Sequence, residues 1–444
     1  MTQGSLGALR AIKSVVQGFH RNDPIDSLLH DCLALTYNAV HFGQEKGISN
    51  RKGMKEFYRS LKGTELPSCY KVAVITRACA ILESRKVSEK RRVEVKHPKP
   101  LKPVVCIISG FFITAKGRLF VPLRTRNEYA DVLLNHHVQK TLEGKKVRSL
   151  TVTSESLSLC YSEEVEPIPV RTVYGVDRNE KNLTFGNAER VVQLDISRTV
   201  RIKQTTREVV KSFKRNDVRA RRKLASKYWR RATNRSNQIL HAAMNLVVEM
   251  AVKNGAALAL EDLKGIRKMY RKGTGQGSDY RFRLNSWPYG KAYRMLEYKA
   301  AWKGLTMIPL TKAETYGSSS KCTSCGERLH EPEKEDVEHR RMLWCQSCKR
   351  WIDRDVNAAL NLSMRGLVRF NSSHPQRASR SQQVYLPARE KGLTGEAVKG
   401  NGQTTVPILR VDASKSGLRL NEDWTEPAGE PLKKSGAFPR SHGF

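Results

Sequence analysis

Four cysteines and three carboxylates are the residues of this chain whose types and spacing could do chemistry. Cys322 and Cys325 form one C-x2-C pair, Cys345 and Cys348 form a second, and 19 residues separate the pairs. A tetrahedral Zn²⁺ takes four soft donors, and each two-residue gap lets one tight turn aim two thiolates at one ion. The spacing predicts a zinc ribbon. Four protein ligands leave no position for water or substrate, so this zinc is structural and any catalysis belongs elsewhere. His330 and His339 lie between the pairs, among Glu, Lys and Arg, and read as exposed side chains rather than ligands.

Directly after the ribbon, Asp353 and Asp355 precede Val356, Ala359, Leu360 and Leu362, an apolar set at helical spacing. An aspartate there is by default an N-cap worth about 1 kcal/mol; the alternative is a carboxylate pointing into a metal site. Two further acids end apolar stretches: Asp177 closes TVYGVD and Glu261 closes AALALE. Asp177 could instead serve a turn with Arg178-Asn179, and Glu261 could pair with a local lysine. Asp262 and Asp353 are the neighbours that compete with the chosen residues. On a strand, Asp262 would face away from Glu261.

The surrounding chain has 444 residues, enough for two or three domains with real cores. Its 80 Lys+Arg against 43 Asp+Glu give a formal charge of +37. A surplus that large repels itself unless a polyanion neutralises it, so nucleic acid is the expected partner and an anionic membrane the second choice. No run of about 18 apolar residues is present to span a bilayer, and the N-terminus lacks a signal peptide's charged start and apolar core. Beyond the ribbon, Cys32, Cys69, Cys79, Cys106 and Cys160 are scattered in apolar or mixed contexts. That pattern fits buried thiols in a reducing, cytoplasmic compartment rather than a disulfide framework.

In chain order, residues 10–18 read as a short strand. A helix starts near Pro24, carries Ile25, Leu28, Leu29, Cys32 and Leu33, and stops at Gly43. A second starts near Ser68, with Val72, Ile75, Cys79 and Leu82 on one face. FFITAKGRLFVPL predicts two strands around a Lys116-Gly117 turn, and VRSLTVTSESLSLCYS a hairpin with Leu157, Leu159 and Tyr161 on one face. If residues 10–18 pair there, the helices are an insertion in a small β-barrel. Three strands follow at 172–177, 181–185 and 190–196. Residues 201–235 hold 14 Lys/Arg and 2 acids, with Phe213, Tyr228 and Trp229 interleaved. This predicts a phosphate-tracking helix, with Arg215, Arg219, Arg221, Arg222, Lys223, Lys227, Arg230 and Arg231 as its nucleic-acid contacts. A helix with Ile239, Leu240, Ala243, Leu246, Val247 and Met250 on one face ends at Asn254-Gly255, and AALALED is a buried strand. Residues 265–285 read as a mobile basic loop, 287–303 as a helix and TMIPL as a strand. After Gly366 no apolar period is sustained, and the tail reads as lacking fixed structure.

A strand meander, helix, strand, helix, strand and final helix is the order of an RNase H-type sheet. There the first strand, the fourth strand and the last helix converge, which would gather Asp177, Glu261 and Asp355. Crowded carboxylates repel unless they share cations, and two hard Mg²⁺ ions would relieve this and support phosphodiester cleavage.

GVDRNEKNLTF, LALEDLKGI, the two C-x2-C pairs and DRDVNAALNL, in that order, resemble the RuvC motifs and zinc ribbon of TnpB, the transposon-encoded RNA-guided nuclease. Miniature type V CRISPR effectors share the set. The match covers about 172–364, and RLNSWPYGKAYRMLEYKA also resembles the family's helix before the ribbon. Upstream, the likeness is one of architecture. The resemblance implies a catalytic, Mg²⁺-binding triad of Asp177, Glu261 and Asp355, with zinc on Cys322, Cys325, Cys345 and Cys348. Asp355 rather than Asp353 matches, because the family's acid precedes x-Asn-Ala-Ala. YGSSSKC departs from the family, which more often has a Thr-Ser pair before the first cysteine.

The implied fold is a multidomain α+β chain. A wedge-like β-barrel (1–23 and 98–168) carries an inserted helical recognition lobe (24–97). An RNase H-like RuvC nuclease domain (169–364) holds the ribbon (314–352), and a tail (365–444) follows. The implied partners are a guide RNA and target DNA, with a short motif read beside the target. Arg51, Lys52, Lys55 and Tyr58 are candidates for that motif by charge and aromaticity. A nuclease-inactive RNA-guided regulator is an alternative. A transposase is another, although those usually order their acids Asp, Asp, Glu along the chain.

Overall fold

The computed structural model describes residues 9–18, 23–90, 94–125, 127–213, 216–263, 265–267, 275–333, 341–373 and 406–414. The chain divides into two compact units, Met1–Pro167 with Ala301–Gly304, and Ile168–Ala300 with Leu305–Phe444. The fold is mixed α+β.

In the first unit, strand β1 (Leu9–Gly18) is followed by three helices, α1 (Asp23–Glu45), α2 (Lys55–Ser60) and α3 (Ser68–Lys90). Then come β2 (Val104–Ile108), β3 (Ile113–Ala115), β4 (Arg118–Pro122), β5 (Tyr129–Leu133), α4 (His136–Leu142), β6 (Lys146–Thr153) and β7 (Ser156–Val165). β1 pairs antiparallel with β7, giving a four-stranded sheet ordered β1-β7-β6-β2, and β3-β4-β5 form a separate sheet. Among the described residues these pairings make two sheets rather than one closed ring. Leu157, Leu159 and Tyr161 face the core as their alternation predicts, and the turn at Lys116-Gly117 places both residues at positive φ.

Gly43 does not stop α1. A Cβ there would lie 2.4 Å from Leu82 Cδ1, so Gly43 is a packing position where α3 approaches α1. The turn after the helix is made by Gly47 at φ +64°.

The second unit is built on a six-stranded sheet ordered β12-β11-β8-β9-β10-β15. Its meander is β8 (Thr172–Arg178), β9 (Asn182–Gly186) and β10 (Val191–Asp195). Helix α5 (Ser197–Ser212), a π-helical turn at Ala220–Leu224 and α6 (Ala225–Lys253) lead to β11 (Ala256–Glu261). Helices α7 (Ser278–Ser286) and α8 (Tyr289–Ala301) precede β12 (Met307–Leu310). The ribbon hairpin is β13 (Met342–Cys345) and β14 (Arg350–Asp353), followed by α9 (Arg354–Ser373) and β15 (Ile408–Asp412). β8, β11 and β12 are mutually parallel, and β9 runs antiparallel to its two neighbours.

Alternation along the strands assigns two faces. Tyr174, Val176, Leu258 and Leu260 pack with α6 and α8, whereas Val173, Ala257 and Ala259 pack with Leu362, Leu367 and Phe370 of α9. Burial of these side chains drives the layering, at roughly 25 cal/mol per Å² of apolar surface.

Three expectations fail here. The basic stretch 201–235 is not one helix, because α5 ends at Ser212 and packs beside α6. Part of the supposed loop 265–285 is α7; residues 264 and 268–274 lie outside the described set. The tail is not without structure from Arg365 onward. α9 continues to Ser373, and β15 pairs parallel with the otherwise open edge of β10. A five-residue strand takes its order from that edge, so no long apolar period is needed to mark it. Residues 374–405 and 415–444 lie outside the described set. No helix among the described residues is long and apolar enough to cross a membrane.

Candidate active site and metal centre

Asp177 and Glu261 end neighbouring parallel strands. Val176 is the register partner of Leu260, so the next residues, Asp177 and Glu261, stand side by side. Adjacent strands lie about 4.8 Å apart. Both acids continue the odd-numbered rows Val173-Gly175 and Ala257-Ala259, and so belong to the face covered by α9. α9 lies unusually close. A Cβ on Gly175 would fall 2.0 Å from Ala359 O and 2.4 Å from Ser363 N, and a Cβ on Gly366 would fall 2.4 Å from Ala259 Cβ. Ser363 Oγ also donates to Val173 O at 2.6 Å. Two glycines, one on each partner, therefore seat the helix that carries Asp355 directly on the strands that carry the other acids.

The head of α9 separates two roles that the sequence left entangled. Asp353 Oδ1 accepts the backbone N–H groups of Asp355 and Val356 at 2.9 and 3.1 Å, the geometry of an N-cap. Asp355 does not cap. Its Oδ2 accepts from Asn182 Nδ2 at 2.7 Å and forms an ion pair with Arg341.

Electrostatics disfavour ionising all the acids together. Burial first, then the charges of Glu261 and Asp355, raise the Asp177 carboxyl to about 8, against the opposing pull of a hydrogen bond from Asn179. That bond, Asn179 Nδ2 to Asp177 Oδ2, is 2.7 Å. Burial also raises Glu261, opposed by Arg178. Arg178 is itself buried. It donates to Glu261 O at 2.5 Å and Tyr289 O at 3.2 Å, and its guanidinium lies 5.3 Å from the Tyr293 ring centre. It ties the ends of β8 and β11 to the start of α8. The donor set suits a hard cation, which takes oxygen ligands: three carboxylates, plus the buried Oδ1 of Asn182, which has no hydrogen-bond partner.

The cysteine cluster is the tighter group. Among the described residues, only Cys322, Cys325, Cys345 and Cys348 form a set of three or more His, Cys, Asp or Glu with all ligating atoms within 4.8 Å of one another. Cys322 Sγ lies 3.8 Å from Cys348 Sγ, and Cys325 Sγ lies 3.4 Å from Cys345 Sγ. A tetrahedron with ~2.3 Å Zn–S bonds has edges of about 3.8 Å, so the thiols fit a structural zinc. Burial, then the hydrogen-bonded neighbouring thiols, push Cys348 up to about 12, a crowding that a dication would relieve. His330 is exposed and outside the cluster, and His339 lies outside the described residues.

The ribbon is tied to α9. Asn357 is fully buried, accepts from Thr323 N and Oγ1, and donates to Lys321 O at 2.8 Å. One turn on, Asn361 donates to Ser318 O and Lys321 O at 2.8 and 2.9 Å. The Asn-Ala-Ala-Leu-Asn run thus joins the first zinc knuckle to the helix that presents Asp355.

Residues 289–362, which span α8, β12, the ribbon and the first half of α9, match the family model for the Cas12f1-like TNB domain. The chain is 28% identical to the TnpB-like protein MJ0751 of Methanocaldococcus jannaschii, over 49% of this chain and 77% of that one. These matches make the chain similar to TnpB and Cas12f-like proteins. It is also 25% identical to the CRISPR-associated endodeoxyribonuclease Cas12f2 of a Micrarchaeota archaeon, over 44% of this chain and 34% of that one. Against the cryo-EM structure of a Cas12f1–sgRNA–target DNA complex the TM-score is 0.49, at 13% identity, covering 77% of this chain and 80% of that one.

In this TnpB/Cas12f-like protein, six of the eight basic residues expected on the nucleic-acid helix, Arg219, Arg222, Lys223, Lys227, Arg230 and Arg231, are exposed along the π turn and α6. Arg215 and the Arg221 side chain lie outside the described set. The interleaved aromatics are partly used internally. Phe213 meets Tyr228 edge-on at 5.8 Å, and Trp229 packs on Phe282 of α7 at 6.1 Å. Arg51, Lys55 and Tyr58 line a cavity of about 240 Å³ with Met54, Arg59, Val72 and Ile75. Sequence reasoning missed Asn182, Arg178 and Arg341. Asn182 and Arg178 had a signal, since both flank the GVDRNEKN turn; Arg341 had none.

Proposed function

We propose that this protein is an RNA-guided, Mg²⁺-dependent DNA endonuclease with an RNase H-like, RuvC-type catalytic domain. The observation that carries the reading is the convergence of Asp177 and Glu261, neighbours on one sheet face, beneath the helix that presents Asp355. The +37 charge of the chain supports polyanionic partners, and the similarity to TnpB and Cas12f proteins supports a guide RNA and target DNA as those partners.

Asp177, Glu261 and Asp355 would hold the catalytic cations, and Zn²⁺ on the four cysteines would have a structural role. When bound, a Mg²⁺ pair supplies an activated water and charge stabilisation at the leaving oxygen. Asn179 and Asn182 orient the Asp177 and Asp355 carboxylates. Arg178 holds the strand ends that carry Asp177 and Glu261. Arg219, Arg222, Lys223, Lys227, Arg230 and Arg231 bind phosphates from the start of the π turn along α6, while base pairing with the guide selects the target.

A second reading, a nuclease-inactive RNA-guided regulator, draws on the Arg341 ion pair that occupies one Asp355 oxygen. Sequencing the RNA that copurifies with the full chain identifies the guide, and EDTA-sensitive cutting of matched DNA then separates the two readings. Guided binding without cutting favours the regulator. Strand-transfer products without RNA would contradict both.

A further inference from the structure

Gln193 is a buried amide inside the six-stranded sheet, at a position an apolar side chain would ordinarily fill. Its Nε2 lies 3.2 and 3.3 Å from the two oxygens of Asp353, and its Oε1 accepts from Arg410 Nε at 2.9 Å. Arg410 is its register partner on β15, and Arg410 Nη2 lies 3.7 Å from Asp353 Oδ2. Asp353 in turn caps the first turn of α9. Contacts therefore run unbroken from the C-terminal strand to the backbone N–H of Asp355.

The two ends of a primary amide are nearly the same shape but opposite in hydrogen-bonding sense. If Gln193 turned over, its Oε1 would face the Asp353 carboxylate, acceptor against acceptor. A guanidinium can only donate, so Arg410 accepts one orientation of the amide and rejects the other. The Arg410–Asp353 ion pair itself contributes little, because the arginine side chain is 70% exposed and water screens it. The strand acts by orientation rather than by charge.

We infer that Arg410 is a positioning residue. Strand β15 sets the Gln193 amide, the amide holds the Asp353 cap, and the cap fixes where Asp355 stands for metal binding. This rests on the assignment of Asp355 to the metal site proposed above.

The test is Mn²⁺ binding to the purified full chain, followed by the electron paramagnetic resonance of free Mn²⁺, with thermal melts alongside. Arg410→Ala should weaken Mn²⁺ binding about 10-fold, the loss ordinary for a residue that orients a metal ligand, while the melting temperature stays near wild type. Arg410→Lys, which keeps a donor for Gln193, should recover most of the affinity. Wild-type affinity in Arg410→Ala, together with loss in Asp177→Ala, overturns the positioning role and leaves the metal site standing. Wild-type affinity in Asp177→Ala instead overturns the site assignment. Where Arg410→Ala fails to fold, Arg410→Gln decides. Its amide donates without charge, so near wild-type affinity is expected, and a full loss contradicts the orientational account.

Discussion

Asp353 Oδ1 accepts the backbone N–H of Asp355 at 2.9 Å, so the cap of α9 and the acid that faces the site are different residues two positions apart. Their substitutions should separate. Asp353→Ala should cost about 1 kcal/mol or more of stability through the lost cap. Asp355→Asn removes one charge from a repelling group and one partly exposed ion pair, and should stay within about 1 kcal/mol of wild type while cutting is lost. Urea denaturation beside a cleavage assay checks both. Equal destabilisation would mean that Asp355 shares the capping role.

Gly175 offers the sharpest packing test. A methyl group there would press into the α9 backbone at Ala359 O, 2.0 Å away. Backbone cannot move aside like a flexible side-chain tip, so Gly175→Ala should cost about 3 kcal/mol, the upper end of overpacking penalties. It should also push Asp355 away from Asp177. A melting temperature equal to wild type would contradict the close seating of the helix.

The ribbon should matter beyond its own fold. Asn357→Ala leaves the backbone and hydroxyl groups of the first knuckle without their partner, at a cost of about 1–3 kcal/mol per buried group left unpaired. Zinc removal by a chelator should loosen the same attachment. Hydrogen exchange at the start of α9 should rise in both cases; unchanged protection there would show that the ribbon and helix are energetically independent.

A pH dependence follows from the buried acids. Asp177 titrates near 8 when folded and near 3.9 when unfolded. Between those values the folded chain keeps a proton that the unfolded chain has released, so stability falls as pH rises through that window. Protein dialysed free of Mg²⁺ with its zinc retained should melt lower at about pH 8 than at about pH 5, Asp177→Asn should flatten that slope, and Mg²⁺ should restore stability at the upper end. A slope unchanged by Asp177→Asn would contradict the assignment.

Periodic and punctuated features were legible before the structure. The strands around Asp177, the buried strand ending at Glu261 and the cysteine spacing each follow from a local pattern. Features set by a distant partner were not. Gly43 looks like a stop signal but is a contact made by Leu82 of another helix. β15 is too short to announce itself and depends on the β10 edge, far earlier in the chain. The resemblance selected Asp355 over Asp353, but the capping role of Asp353 is a matter of which carboxylate reaches back to the helix N–H groups, a backbone geometry that composition does not encode. Arg341 reaches Asp355 from the ribbon hairpin with no motif to mark it.

The proposed action of Asp177, Glu261 and Asp355 on phosphodiesters through shared cations is tested most directly by Mg²⁺-dependent cleavage of guide-matched DNA by the wild-type ribonucleoprotein and by Asp177→Ala, with RNA binding measured in parallel. Asp177→Ala should retain the RNA and lose cutting at every Mg²⁺ concentration. Cleavage by Asp177→Ala at the wild-type rate would contradict it.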